Sequence, residues 1–378
     1  MIKKRLFTPG PTLIHPDAGM IMSGPALHHR KSEFKEIFRQ TTANLKAIYK
    51  TTHDILLLAC SGSGAMESAV VNLLSPGARV LVGSAGKFGE RWESLCKQYG
   101  VNATVIRKEY GDSVDPGEIG AHLEKDPQIE AVFIQGCESS TGAAMDLQAL
   151  GEIVARFPKT VSVVDAITTL GAAPLHTDEW KLDVVIGGSQ KAFMIPPGLA
   201  FVSISAKAWE KSRQSKIPRF YFDWKREQEN QIKNQTAFTP AVNLVQALHQ
   251  ATAFILKDGV DDLVANAALL ARMTRAAAAA WQLPLFARHP ADALTAISIP
   301  APLQAETIVS DLQKMFGAAI AGGQGEMQGK LIRIAHLGYY DAVDLLGLLG
   351  AMECVLHKQD PSRPMGAGVA AALKVLAG

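Results

Sequence analysis

Apolar residues between Asp54 and Ser205 occur in short, continuous runs separated by Gly- and Ser-rich turns and by amphipathic segments. Strands covered by helices on both faces have such continuous runs, whereas half-exposed strands alternate apolar and polar residues. The pattern therefore predicts an α/β domain with a mainly parallel sheet, whose ligands bind at the carboxyl ends of the strands. The predicted strands are "DILLLAC", "ARVLVGS", "AVFIQG", "TVSVVDA", "LDVVIGG" and "LAFVSIS", and the predicted helices are "GAMESAVVNLL", "FGERWESLCKQYG" and "DLQALGEIVARF".

The pattern changes after the helical segment "AVNLVQALHQATAFILKDG". An alanine-rich helical segment, "ALLARMTRAAAAAW", is followed by the isolated strands "TAISIP" and "LIRIAHLG" between further helices. We therefore predict three parts: an N-terminal arm over residues 1–19, a large α/β domain over 20–257 and a smaller α+β domain over 258–378.

Composition narrows the classes of function. The chain of 378 residues has 38 Lys and Arg against 36 Asp and Glu, a net charge of +2, and its charges form no block, which argues against a nucleic-acid partner. Its four cysteines are widely spaced, so neither a zinc site nor a disulfide framework is expected, and no metal site is predicted. The N-terminus lacks an apolar signal segment and the apolar runs are too short to span a bilayer. We predict a soluble, cytoplasmic protein in a reducing compartment.

Two strand ends carry polar residues that packing does not explain. The turn Ser61–Gly64 joins a strand to a helix, and its free backbone N–H groups could bind a phosphate, although a flexible turn has the same composition and no Walker motif follows. Asp165 ends a very apolar strand. It either caps the next element or stays buried and ionised beside a cation, such as a protonated heterocyclic nitrogen.

Two basic residues add to this set. Lys191 follows a strand in a Gly- and Pro-rich loop; it is either a solvated surface charge or an amine of lowered pKa that attacks carbonyls. Arg333 lies in the apolar strand "LIRIAHLG", either at a solvent-exposed edge or as a fork for a carboxylate. The second role requires Arg333 to face the large domain.

Together these features resemble the class V, fold-type I, pyridoxal-phosphate-dependent aminotransferases, and most closely the alanine–glyoxylate and serine–glyoxylate (serine–pyruvate) branch. The order is a Gly/Ser loop, an aspartate, a lysine 26 residues later and an arginine in a C-terminal domain. The resemblance implies a large domain with a mainly parallel, seven-stranded type of sheet and a smaller C-terminal α+β domain. The motifs that carry it are "FTPGPT", "SGSGAMESA", "GKFGER", "ESSTG", "VDAITTLG", "GGSQKAF", "PPGLAF", "FTPAVNL" and "LIRIAHLG".

The resemblance implies roles for the central residues. Lys191 would form a Schiff base with pyridoxal 5'-phosphate and act as general acid and base, and Asp165 would keep the ring nitrogen protonated. Arg333 would grip the substrate carboxylate through two hydrogen bonds, and Gly10 in "TPGPT" would contribute backbone to the substrate site.

Further residues are expected around the cofactor. The turn Gly62, Ser63 and Gly64 would hold its phosphate, Phe88 and Ile167 would cover the two faces of its ring, and Ser139 and Gln190 would lie close to it. The resemblance also implies a homodimer with shared active sites.

The segment "NQTAFTP" departs from the family. Relatives have a tyrosine and a threonine that reach the partner subunit's phosphate, but the aligned residues here are Gln235 and Phe238, and we expect Gln235 and Thr236 to act as substitutes. The segment "ALHHRKSEF", which includes His28, His29 and Arg30, also resembles a family motif, without an assigned role.

The resulting hypothesis is an aminotransferase with a ping-pong cycle, from serine or alanine to a 2-oxo acid such as glyoxylate or pyruvate. One alternative is a cysteine desulfurase or another lyase, but those relatives have histidine before the lysine, whereas this chain has Gln190, and Cys354 lies in a helical pattern. The other is a non-catalytic domain of the same fold. The retention of Lys191, Asp165 and Arg333 argues against it.

Overall fold

The computed structural model describes residues 2–378. In this part of the chain the strands, β1 to β14 in chain order, are Arg5–Leu6, Asp54–Leu58, Arg79–Ser84, Asn102–Arg107, Ala131–Gln135, Cys137–Glu138, Ala143–Ala144, Val161–Asp165, Val184–Gly188, Ala200–Ile204, Leu294–Ser298, Ala318–Ala319, Ala321–Gly322 and Leu331–Ala335. The helices, α1 to α13, are Pro16–Met22, Ser32–Tyr49, Gly62–Leu73, Lys87–Gln98, Pro116–Lys125, Leu147–Val154, Ala206–Ser212, Trp224–Gln231, Val242–Asp258, Val260–Ala280, Ala305–Phe316, Ala342–Gln359 and Ala367–Ala377.

A seven-stranded sheet forms the centre of the molecule, with the order β2-β10-β9-β8-β5-β3-β4. Strand β10 is antiparallel to both its neighbours, and the remaining neighbours are parallel. The predicted α/β class with a mainly parallel sheet is confirmed. The six predicted strands are all present, but β4 was not predicted, because it lies at the edge of the sheet and alternates exposed and covered residues.

Helices cover both faces of this sheet. Alternate residues of β5 show the two cores: Val132 and Ile134 pack in one apolar cluster, and Ala131 and Phe133 pack in the other. Trp92 of α4 is fully buried on the second face, with its ring 4.7 Å from that of Phe133. Because helices cover both faces, a ligand can reach the central sheet only at the ends of its strands.

A third core forms around the small antiparallel sheet β11-β14-β13, in which β11 and β14 are the predicted strands "TAISIP" and "LIRIAHLG". The N-terminal segment joins this core: Phe7 is buried in it, and β1 pairs in parallel with β12. Helix α9 ends at Asp258, and Gly259, at φ 98°, separates it from α10. The predicted change of character near residue 258 thus coincides with a break between two helices.

No helix within residues 2–378 combines the length and the apolar character needed to cross a membrane.

Candidate active site

A cavity of about 250 Å³ lies at the carboxyl ends of the central strands. The loops after β2, β5, β8 and β9 contribute to its walls, as a mainly parallel sheet predicts. The cavity brings together nine of the residues singled out from the sequence, which are Gly10, Gly62, Ser63, Phe88, Ser139, Asp165, Ile167, Gln190 and Lys191.

Asp165 is the last residue of β8 and is only 6% exposed. Its Oδ1 accepts a hydrogen bond from the Ile167 N–H at 3.0 Å, and its other oxygen makes no hydrogen bond to the residues described here. Burial raises the pKa of Asp165 to about 6, while the Ile167 hydrogen bond opposes this shift. A buried carboxylate with one free oxygen is suited to a cationic partner.

Lys191 lies in the turn that follows β9, and its ammonium nitrogen donates to the carbonyl oxygen of Pro9. Burial lowers the pKa of Lys191 to about 8; the Asp165 carboxylate opposes this shift, and Arg333 and Arg91 add to it. The amine is still mostly protonated at pH 7, but its neutral, nucleophilic form is far more populated than in an ordinary lysine, whose pKa is 10.5.

The N-terminal segment contacts Lys191 at Gly10, a residue without a side chain. Gly10 has φ 140°, and a Cβ placed on it would overlap the end of the Lys191 side chain. The hydroxyl of Thr12 donates to the carbonyl of Lys191 at 2.8 Å. The arm and the lysine loop therefore hold each other in place, and a glycine is required where they meet.

The Gly/Ser turn forms the N-terminus of α3, which begins at Gly62. The backbone N–H groups of Gly62 and Ser63 make no hydrogen bond to other described residues, so they are free for an anion. A Cβ on Gly62 would overlap the side chain of Ile167, so the turn and this apolar wall are in close contact.

Phe88 and Arg91 lie one turn apart on α4, and both line the cavity. The Arg91 guanidinium carbon is 4.7 Å from the centre of the Phe88 ring, a cation–π arrangement, and its Nη1 donates to the Ser63 hydroxyl at 2.9 Å. Arg91 was not singled out from the sequence. The signal was its position three residues after Phe88, which places both side chains on one helix face.

Arg333 faces the large domain, as its predicted role requires, but it does not line the cavity in this structure. It is 5% exposed; Nη1 donates to the Ser139 carbonyl at 2.6 Å, and Nε and Nη2 donate to the Gly322 carbonyl. Burial lowers the pKa of the guanidinium, and Glu138 opposes this shift. Three of its five N–H groups are used, which leaves two for another acceptor.

Gln235 and Thr236 lie outside the cavity of their own chain. The Gln235 side-chain oxygen accepts from Arg30 Nη1 at 2.7 Å, and the Thr236 hydroxyl donates to the Phe238 carbonyl. Gly64 belongs to the first turn of α3 but does not contact the cavity. The predicted contacts of Gln235 and Thr236 with a partner subunit stay a prediction.

Comparison with known proteins decides the family. The model described as "Aminotransferase class-V" matches residues 18–331, most of the chain. The chain belongs to the class V aminotransferase family. This confirms the predicted family and the predicted enzyme class, a transaminase.

Relatives within and near this family cover almost the full chain. The "Soluble hydrogenase 42 kDa subunit" of Anabaena cylindrica is 41% identical over 99% of this chain and 98% of its own length. The "L-aspartate--glyoxylate aminotransferase" of Paracoccus denitrificans is 33% identical over 97% of this chain and 94% of its own. The solved ureidoglycine-glyoxylate aminotransferase of Bacillus subtilis superposes with a TM-score of 0.94, at 26% identity, over 100% of this chain and 99% of its own.

The name "Soluble hydrogenase 42 kDa subunit" describes the Anabaena relative, and we do not transfer it to this chain. Within residues 2–378 no group of three or more His, Cys, Asp or Glu side chains is placed to hold a metal ion. The superposition confirms the predicted fold-type I architecture.

Proposed function

We propose that the protein transfers an amino group from a small amino acid, such as serine or alanine, to a 2-oxo acid such as glyoxylate or pyruvate, with pyridoxal 5'-phosphate in the described cavity. The observation that carries this proposal is the pairing, in one cavity, of a lysine of lowered pKa with a buried carboxylate. When bound, pyridoxal phosphate supplies an electron-accepting ring and carries the amino group between the two substrates.

The residues present fit this cofactor. The free N–H groups of Gly62 and Ser63 would hold the phosphate, and the unpaired Asp165 oxygen would accept from a protonated ring nitrogen. Phe88 and Ile167 supply apolar walls. Ser139 and Gln190 line the same cavity, and the Gln190 side-chain oxygen is buried without a partner among the described residues, so it is free to accept a hydrogen bond.

Lys191 has the properties of both a nucleophile and a proton carrier. With a pKa of about 8, its amine gives up and takes back a proton close to the working pH, which favours general acid and base catalysis. We assign to it the transfer of the proton at the substrate Cα. Asp165 stays ionised because a cation beside it lowers its pKa from the raised value.

Arg333 would bind the substrate carboxylate. Its two unused N–H groups allow a two-pronged contact, and its hydrogen bond to the Ser139 carbonyl holds the guanidinium against the large domain. Gly10 would leave room for substrate beside the lysine, since any side chain there would overlap Lys191.

The homodimer, the cytoplasmic location and the division into an arm (1–19), a large domain (20–257) and a small domain (258–378) are parts of the same proposal. A dimer is supported by Gln235 and Thr236, which lie outside the cavity of their own chain and would complete the site of the partner subunit. The division is supported by the separate core around the small sheet and by the helix break at Gly259.

The experiment is a half-reaction assay with the cofactor-loaded protein and a panel of amino acids, including serine, alanine, aspartate and cysteine. A shift in the visible absorbance of the bound cofactor identifies the donor, and addition of glyoxylate or pyruvate should reverse it. The acceptor named in the two aminotransferase relatives is glyoxylate, while their named donors differ, so the panel decides the donor. Lys191→Ala should lower turnover by about 10²-fold or more.

Failure of every amino acid to change the absorbance would reject the transaminase proposal. Release of sulfide from cysteine would favour the desulfurase alternative. Two described cysteines speak against that alternative: burial raises the pKa of Cys137, which lines the cavity, and Cys354 lies within α12.

A further inference from the structure

Glu138 is a buried acid beside the cavity that the roles above do not use. We propose that Glu138 is a positioning residue, which fixes the cavity wall at Phe88 and the substrate-side segment at Ser139 as one unit. The inference rests on the proposed function, because it assigns the purpose of this unit to the cofactor and the substrate.

The carboxylate is 1% exposed and fully hydrogen-bonded. Oε2 accepts from the backbone N–H groups of Phe88 at 3.0 Å and of Gly89 at 3.1 Å, and Oε1 accepts from the N–H and the hydroxyl of Ser140. All four partners donate, so an ionised carboxylate satisfies them and an amide does not.

These bonds cap α4 from a distant part of the chain. The residue before α4 is Gly86, which has no side chain to cap the helix, and the first three N–H groups go instead to Glu138 and to the Ser140 hydroxyl. A Cβ on Gly86 would lie 2.6 Å from Glu138 Cγ and Cδ. The acid therefore packs directly against the start of the helix that carries Phe88.

The same segment contacts the small domain. Ser139 lies between Glu138 and Ser140, lines the cavity and accepts the hydrogen bond from Arg333 Nη1. Movement of Glu138 would thus shift Phe88, which lines the cofactor side of the cavity. It would also shift the Ser139 carbonyl, which holds Arg333 on the substrate side. A residue that only stabilised the fold would not link these two effects.

The chain contains a matched control, Glu353. It is also buried, at 4% exposed, and its carboxylate caps α13 by accepting from the N–H groups of Gly366 and Gly368, but it lies in the small domain away from the cavity. Glu138→Gln and Glu353→Gln each remove acceptors from a buried helix cap. Comparable losses of stability on urea unfolding are expected for the two variants.

The two variants should differ at the site. In the cofactor-loaded enzyme, Glu138→Gln should raise the KM for the amino donor about tenfold or more, as the loss of a charge-assisted hydrogen bond implies. It should also weaken cofactor binding, measured by quenching of tryptophan fluorescence, and reduce the visible circular dichroism of the bound cofactor. Glu353→Gln should leave all three at the wild-type values.

Wild-type protein that fails to bind the cofactor would reject the proposed function itself. Wild-type protein that binds it, with Glu138→Gln indistinguishable from Glu353→Gln in KM and circular dichroism, would overturn the positioning role alone. Gly86→Ala displaces Glu138 without removing it. This variant should also raise the KM for the amino donor, weaken cofactor binding and reduce the visible circular dichroism. If Glu138→Gln does not fold, a folded Gly86→Ala variant with wild-type KM and circular dichroism overturns the inference.

Discussion

Replacing Asp165 by asparagine should stabilise the cofactor-free protein while it abolishes turnover of the loaded enzyme. The amide keeps an oxygen for the Ile167 N–H and removes the buried charge. In the folded protein burial raises the pKa of Asp165 from 3.8 to about 6. Between these two values the folded state binds the proton more strongly than the unfolded state, so the wild-type protein loses stability as the pH rises through this window.

The size of the effect follows from the shift. The rise in pKa from 3.8 to about 6 lowers the free energy of unfolding by about 3 kcal/mol above pH 6, where Asp165 is ionised in both the folded and the unfolded state. At pH 5 the cost is only about 1.5 kcal/mol, because the folded protein is still largely protonated there. The difference in the free energy of unfolding between Asp165→Asn and the wild type should therefore grow by about 1.5 kcal/mol from pH 5 to pH 8.

The assay is urea unfolding of the two cofactor-free proteins at pH 5 and pH 8, at one protein concentration, followed by tryptophan fluorescence. Asp262→Asn is the control for loss of an exposed negative charge, since Asp262 is exposed and makes no hydrogen bond or ion pair to the described residues. An advantage of Asp165→Asn that is equal at both pH values, or that is larger at pH 5, would refute the electrostatic reasoning.

Two further substitutions test the geometry around the lysine and the substrate. Gly10→Ala should weaken cofactor binding in a fluorescence titration, because the new methyl group overlaps Lys191; Gly77→Ala, which also has positive φ but open space around it, should leave binding unchanged. Arg333→Lys keeps the charge but loses the planar fork, so KM for the amino donor should rise about tenfold while cofactor affinity stays at the wild-type value, and an unchanged KM would contradict the carboxylate contact.

Much of the fold follows from the apolar pattern. Strands such as Val161–Asp165 are buried along their whole length, and their continuous apolar runs distinguish them from the amphipathic helices. Strand Asn102–Arg107 escaped prediction because an edge strand exposes every second residue and resembles a polar segment. The sequence therefore predicts strands that are buried on both faces better than strands that are half exposed.

The site was predictable where a residue's position along its own strand determines its place. Asp165 ends one strand and Lys191 follows its neighbour, so the topology alone brings them together. Arg91 and Glu138 were not identified, although both lie in motifs noted in the sequence. The Glu138 contacts depend on the way in which α4 meets a loop about 50 residues later, and Arg91 reaches back to Ser63, 28 residues earlier; local patterns do not encode these long-range contacts.

The electrostatics of the cavity link catalysis to stability. A pH of 7 is above the raised pKa of Asp165, about 6, and below the lowered pKa of Lys191, about 8. Both groups are therefore mainly charged, and burying these charges lowers the stability of the folded protein. A ligand with a cationic ring nitrogen at the carboxylate and an anionic phosphate at the α3 N-terminus complements both the acid and the free N–H groups. The proposed cofactor would offset the cost of burying the Asp165 charge, so we expect the folded protein to be more stable with pyridoxal phosphate than without it.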